Sequence, residues 1–399
     1  MRLTALLPPL LADPTIDDLV AAAGSRSRTD RTVVVAPGAR PAVLATMALG
    51  ASGVARATGA ADLAAPADAE EGTPLLVVTA TGRQAEETAA ALTCYLPSTD
   101  VAVFPAWETL PHERLSPRAD TVATRLSVLR RLAHPEDGQA GAPVSSGAPD
   151  PVSSGAPDPV SSGAPDPVSS GAPDPGRGPI RVLVVPVRAL LAPVVDGLGE
   201  LEPVHLAKGL DVGLEATAER LAAAAYTRVD MVENRGEFAV RGGILDIFPP
   251  TLARPVRVDF FGDEIESVST FAVADQRTIE EIGAVTATAC REIVLTDAVR
   301  ERARALTGVI PGAADMLERI AAGIPVEGME SLAPVLVPRM VPLLDLVGDR
   351  LVVGLEPERL RKRAEDLVAT TAEFLAAAWT SAASGGTAPI DLSAAAFAH

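Results

Sequence analysis

Leu75-Leu76-Val77-Val78-Thr79 is a run of five apolar or β-branched residues with no polar break. A strand that faces water on one side alternates apolar with polar side chains. An unbroken run reads instead as a strand buried on both faces, the pattern of a parallel sheet covered by helices. Gly82 marks the turn that follows, and residues 84–95 then carry Ala85, Thr88, Ala89 and Leu92 at helical spacing. The same unit recurs outward in both directions. Thr32 to Ala36 is a strand run ending at Pro37-Gly38, with a helix-like stretch over 41–50. Val101 to Phe104 is a third strand, and Asp120 to Ala133 reads as a helix. Ile180-Arg181-Val182-Leu183-Val184-Val185-Pro186 and Leu351-Val352-Val353-Gly354 are further strand runs, the latter leading into a charged helix from Pro357 to about Trp379. Strands alternating with helices predict an α/β domain on a parallel sheet.

Two segments interrupt that pattern. The octad Pro-Val-Ser-Ser-Gly-Ala-Pro-Asp occurs four times in tandem from Pro143 to Asp174. It has little to bury and no amphipathic period, so residues 136–178 are expected to be a disordered insert in a surface loop. From Val229 to Val273 the pattern becomes short and alternating, with turns at Gly236, Gly242-Gly243, Pro249-Pro250 and Gly262-Asp263. Val256 to Phe261 and Glu264 to Val268 read as a hairpin with Gly262-Asp263 at its tip. The resulting division is 1–189 for the first half of the α/β domain and 190–284 for a smaller antiparallel α+β domain. Residues 285–380 form the second half, packing back on the first, and 381–399 a flexible tail. The middle domain is then an insertion.

Composition narrows the function classes. The chain has 399 residues, a net charge of -18, and 48% hydrophobic residues. So acidic a chain is a poor stand-alone DNA binder, because phosphate neutralisation needs Lys and Arg in excess. No apolar run is long enough to span a membrane, and the start carries no convincing secretory signal, so a cytoplasmic protein is expected. Cys94 and Cys290 lie far apart, and the histidines at 112, 134, 205 and 399 show no metal spacing. Two buried free thiols and no metal are expected.

A nucleotide-hydrolysing loop needs a glycine-rich turn, a lysine on the outer phosphates and a Ser or Thr on magnesium. The only lysines are Lys208 and Lys362, and neither has that context. Where such a loop would follow the first strand, the chain reads Ala36-Pro37-Gly38-Ala39-Arg40-Pro41. Gly38 and Arg40 are the candidates for a degenerate nucleotide loop, with Arg40 as a substitute phosphate ligand. Glu356 sits where a motor domain would hold a magnesium carboxylate, and reads more simply as a helix-start acid. Glu233, Glu237 and Asp246 are acids near turns and read as solvated rather than as a catalytic pair. No catalytic residue is expected.

Two stretches resemble a known family. Phe104-Pro105-Ala106-Trp107-Glu108-Thr109-Leu110-Pro111, with Ser116-Pro117, Asp120 and Arg125-Leu126, is similar to a signature of transcription-repair coupling factors. Gly236-Glu237-Phe238-Ala239-Val240-Arg241-Gly242-Gly243-Ile244-Leu245-Asp246-Ile247-Phe248-Pro249 is similar to the UvrA-binding domain that this family shares with UvrB. That likeness runs on through Val258 to Ser267 and Asp275-Gln276-Arg277-Thr278, and Leu355 to Arg359 extends the resemblance to nearly all of the chain outside the repeat.

The resemblance implies a degenerate P-loop-type, RecA-like parallel-sheet domain carrying an inserted UvrA-binding domain. It implies a UvrA-docking module, also autoinhibitory, of a repair factor that displaces stalled RNA polymerase. The ATP- and magnesium-dependent DNA translocase of that family would lie beyond residue 399, making this chain a fragment without enzymatic activity or a cofactor of its own. Contact with its own motor region is a further implied partner, and a membrane is not. In UvrB the UvrA-contacting arginines lie two positions after a tyrosine and within an F-R-V-R-G segment. These match Arg228, after Tyr226, and Arg241, while Ala239 stands where the other arginine would be. The candidate contact set is Arg228, Arg235, Phe238 and Arg241. Arg241 should share a face with Ala239, pointing away from Phe238 and Val240, and Arg228 should lie near it. Only two tyrosines occur, so UvrB's tyrosine-rich DNA-probing hairpin is missing. Two other readings are a divergent nucleotide-binding enzyme using Arg40 and Glu356, and a scaffold acting through the repeat.

Overall fold

Four of the predicted runs form one parallel sheet: Leu75–Thr79 (β1), Val101–Val103 (β2), Val182–Pro186 (β3) and Leu351–Gly354 (β14), in the order β14-β1-β3-β2. The computed structural model describes residues 3–25, 30–58, 72–109, 114–138, 178–310 and 312–383. The whole octad repeat, the residues 110–113 within the first signature and the tail from 384 lie outside them. In register, Leu75 pairs with Leu351 on one side and with Val182 on the other. Alternate side chains of the inner strands β1 and β3 enter different cores, as the pleat dictates, while on the edge strand β14 Val352 stays exposed. Leu75, Val77, Val182 and Val184 pack with the helices Leu7–Leu11, Arg40–Thr58 and Gly82–Leu92. Leu76, Val78, Leu183 and Val185 pack with the helices Ala119–Ala133, Asp297–Leu306 and Ala314–Ala321. This double burial is why the strands lack polar alternation.

One predicted strand is absent. Residues 32–36 form no strand and pair with none, and Val34 is 98% exposed. Both edges of β1 are occupied, by β14 and β3. β-Branched composition makes a segment able to pair without supplying a neighbour. The helix expected over 41–50 runs as Arg40–Thr58, bent where Gly50 adopts a φ of 64°.

The second domain is a six-stranded sheet ordered β11-β10-β9-β8-β7-β6. Its strands are Thr227–Arg228 (β6), Glu237–Arg241 (β7), Ile244–Ile247 (β8), Val256–Phe261 (β9), Glu264–Phe271 (β10) and Thr278–Glu281 (β11). All neighbours are antiparallel except β6 and β7. One face buries Phe238, Leu245, Ile247, Val256 and Val258 with Leu221 and Tyr226. The pair Val204–Ala207 (β5) and Ala284–Ala287 (β12) adds Val204, Leu206 and Val285 to that core. A last two-stranded pair, Val194–Val195 (β4) and Met340–Val341 (β13), ties the flanks of the first domain.

The first family signature packs at the junction between the two domains. Arg125, on the helix Ala119–Ala133, forms an ion pair with Glu292, their side chains only 2% and 1% exposed. Nη1 of Arg125 donates to the carbonyl of Pro105 at 2.9 Å, and its guanidinium lies 4.2 Å from the Phe104 ring centroid. The Trp107 indole N–H donates to Glu292 at 2.9 Å. Beside them, Ser116 Oγ donates to buried Glu330 at 2.7 Å, and Arg291 donates to the same carboxylate at 2.9 Å. Phe104, Trp107, Ser116 and Arg125 are thus held to the segment by which the chain re-enters the α/β domain after β12.

Candidate functional site

Through β7, β8 and β9 of the second domain the register is unbroken and successive side chains alternate between faces, so the second face there is determined by the first. Phe238 and Val240 enter the main core, and Ala239 and Arg241 face the other way. Register carries this face across the sheet: Ala239, Asp246, Arg257 and Ser269 form one row, and Arg241, Ile244, Asp259 and Ser267 the next. The lower part is closed by Val232, Phe248 and Phe271 packed around Ala239. Asp246, 1% exposed, accepts from Arg241 and takes two bonds from Arg257, 2.7 Å from Nε and 3.0 Å from Nη2. Arg257 also stacks 4.8 Å from the Phe271 ring centroid. Two guanidiniums and their hydrogen bonds offset the desolvation of this carboxylate.

Each sequence candidate takes a distinct place. Arg241 is 45% exposed at its side chain, sharing the Ala239 face as the alternation predicts. It is held by Asp246, an acid that reads from sequence as solvated and is in fact buried. Glu233 and Glu237 do not join it. Glu237 instead accepts from the backbone amides of Glu233 and Asn234. Burial pushes the Glu237 carboxyl up, but those bonds and the Asn234 side chain outweigh it and hold it below the usual range. Arg235 is exposed, donating to the Leu252 carbonyl at 3.1 Å with its guanidinium 5.5 Å from the Phe248 ring. Phe238 is 1% exposed and offers a partner no surface; it fixes β7 against the core. Arg228 is exposed on β6, in register with Phe238 rather than with Arg241. That register sets it three positions along β7 from Arg241, about 10 Å by strand rise, and on the alternate side of the sheet. The two arginines are therefore not immediate neighbours.

Tyr226, two residues before Arg228, is a core residue whose hydroxyl donates to the Thr288 carbonyl at 2.9 Å. Burial pushes the thiol of its neighbour Cys290 up to about 12. At pH 8 about one such thiol in ten thousand is then ionised. Iodoacetamide should label the partly exposed Cys94 in the native protein and reach Cys290 only on unfolding. Equal native labelling by mass spectrometry would show that this core opens.

The nucleotide-loop candidates lie in the other domain. Gly38 sits in a 3-10 turn with open space where a Cβ would project, so nothing in its geometry demands glycine. Arg40 pairs with Glu356 at 2.8 Å, joining positions 316 residues apart. The Arg40 guanidinium, and then Arg359, hold the Glu356 carboxyl below its ordinary range. Lys208 pairs with Glu281 and Lys362 with Asp366. Among the described residues no group of three His, Cys, Asp or Glu side chains could hold a metal ion. No described helix is long and apolar enough to cross a membrane.

Residues 204–292, which hold β5 to β12, match the family described as the UvrB interaction domain. Across 98% of its length the chain is 42% identical to the transcription-repair-coupling factor of Mycobacterium tuberculosis, covering 28% of that protein. It is 29% identical to that of Haemophilus influenzae over 65% of the chain and 20% of the relative. The Escherichia coli factor is 31% identical over 45% of the chain and 12% of the relative. The chain spans between about a tenth and three tenths of the length of these relatives, and by this likeness it belongs to the transcription-repair-coupling factor family.

Proposed function

We propose that the chain is a docking module that binds UvrA through its 204–292 domain, with Arg228, Arg235 and Arg241 meeting acidic groups and Phe238 supporting them from beneath. The match of that segment to the UvrB interaction domain carries the reading. The exposed guanidiniums of these three residues support it, because the planar fork of arginine suits carboxylates across an interface. In this reading the α/β domain is a degenerate P-loop-type, RecA-like unit. Arg40 and Glu356 satisfy each other there, leaving no phosphate-binding lysine and no free magnesium carboxylate. RNA polymerase contact and ATP-driven movement on DNA belong to the rest of the full-length protein, which the docking face also restrains by intramolecular contact.

Calorimetric titration with UvrA tests the reading. An arginine anchor typically contributes about 2 kcal/mol or more, so Arg228→Glu should weaken binding about thirtyfold or more. Arg241→Ala should weaken binding similarly with the fold intact, because Arg257 still holds Asp246 by two bonds. Wild-type affinity in the folded double variant would remove these arginines from the interface, and no binding by the unmodified chain would remove the function.

A further inference from the structure

The second face of the six-stranded sheet is only half covered. Below, Val232, Phe248 and Phe271 close it over Ala239. Above, the row of Arg241, Ile244 and Asp259 has no such cover, and the next outward position on β9 is Phe261. Phe261 pairs with Glu264 at the hairpin tip and is 80% exposed, the most exposed aromatic side chain among the described residues. Its neighbour Phe260 turns to the other face and joins the main core. A phenyl ring held clear of the core by its own strand leaves apolar area in water that a partner could cover. Arg241 uses one Nη on Asp246, its side chain is 45% exposed, and its guanidinium fork carries further N–H donors. Ile244, half-buried on β8, lies in register between Arg241 on β7 and Asp259 on β9, two positions before Phe261.

We propose that this open end, with Phe261 as apolar anchor and Arg241 as carboxylate clamp, is the centre of the UvrA-docking surface. The inference rests on the docking reading above and narrows it. Because the register sets Arg228 on the alternate side of the sheet, the two candidate arginines do not share one flat surface, and the aromatic marks the Arg241 side as the one carrying most of the affinity. The partner patch should offer a carboxylate beside a recess that accepts an aromatic ring. Aromatic and arginine side chains meeting in one desolvated spot are the usual composition of an interface hot spot. Asp259, next in that row, accepts from Ser267 Oγ at 2.6 Å, whereas Arg241 is paired with Asp246.

The experiment titrates the full 399-residue chain and its variants into UvrA, with the melting temperature of each recorded. Phe261→Ala should lower affinity about thirtyfold or more with an unchanged melting temperature, since so exposed a ring contributes little to folding. Phe261→Tyr, which keeps the ring, should restore most of the binding. Wild-type affinity in Phe261→Ala, while the unmodified chain binds and Arg228→Glu weakens it, would move the docking centre to the β6 edge and overturn this inference alone. No binding by the unmodified chain would overturn the docking reading and this inference together.

Discussion

Glu292→Ala should lower the stability of the chain by about 3–5 kcal/mol, the usual result of removing one partner from a buried ion pair. The side chain of Arg125 would remain 2% exposed with its charge uncompensated. The Pro105 carbonyl and the Phe104 and Trp107 rings are also in contact with it, and none of them carries a formal charge. Domains typically have only about 5–15 kcal/mol in total, so partial unfolding at 37 °C should be visible by circular dichroism. Replacing both members together, Arg125→Met with Glu292→Leu, should cost much less, because no charge is then left stranded. Equal losses in the single and double variants would show that packing at this junction, rather than charge, decides its stability.

Asp246→Ala should be comparably damaging, about 3–5 kcal/mol, with the loss confined to the 204–292 domain. Among the described residues its carboxylate is the one within ion-pair distance of Arg257, Asp259 acting only from further off, and Arg257 is itself mostly covered, packed against Phe271. Removal leaves two guanidiniums without the carboxylate they share, one of them packed over the Phe271 ring. Arg241→Ala, by contrast, should cost under about 1 kcal/mol, since its guanidinium is half exposed and Asp246 keeps its two bonds to Arg257. Urea unfolding of the two variants gives the comparison directly. A larger loss in Arg241→Ala than in Asp246→Ala would reverse the hierarchy assigned to this cluster.

The strands β1 and β3 are legible in sequence because burial on both faces leaves unbroken apolar runs, whereas the edge strand β14 carries such a run with Val352 55% exposed. Residues 32–36 carry the same signature and stay unpaired, since composition records what a segment can bury and not whether an edge is open to it. The alternation of β7 is equally legible, and it places Arg241 opposite Phe238. Two things are not. Asp246 looks like any acid near a turn, and only its cross-strand position beside Arg257 shows that it is buried. Glu292 is 167 residues from Arg125, so nothing local marks it as the counter-charge of that helix. The arginines at 228 and 241 both resemble contact residues, yet pairing register, which local pattern does not fix, separates them.

The connection between β1 and β14 has a consequence for synthesis. Arg40 must wait for Glu356, 316 residues later, and β1 must wait for its outer neighbour over a similar span. At bacterial and eukaryotic elongation rates of about 5–20 residues per second, that delay is roughly 15–60 s. Through this interval the nascent chain exposes a valine-rich strand edge, a template for mispairing with other chains. The 204–292 domain closes its sheet from contiguous residues and can fold in the meantime. Ribosome-bound chains halted before residue 351 should therefore hold a folded second domain on an open first one, a state that chaperones would recognise.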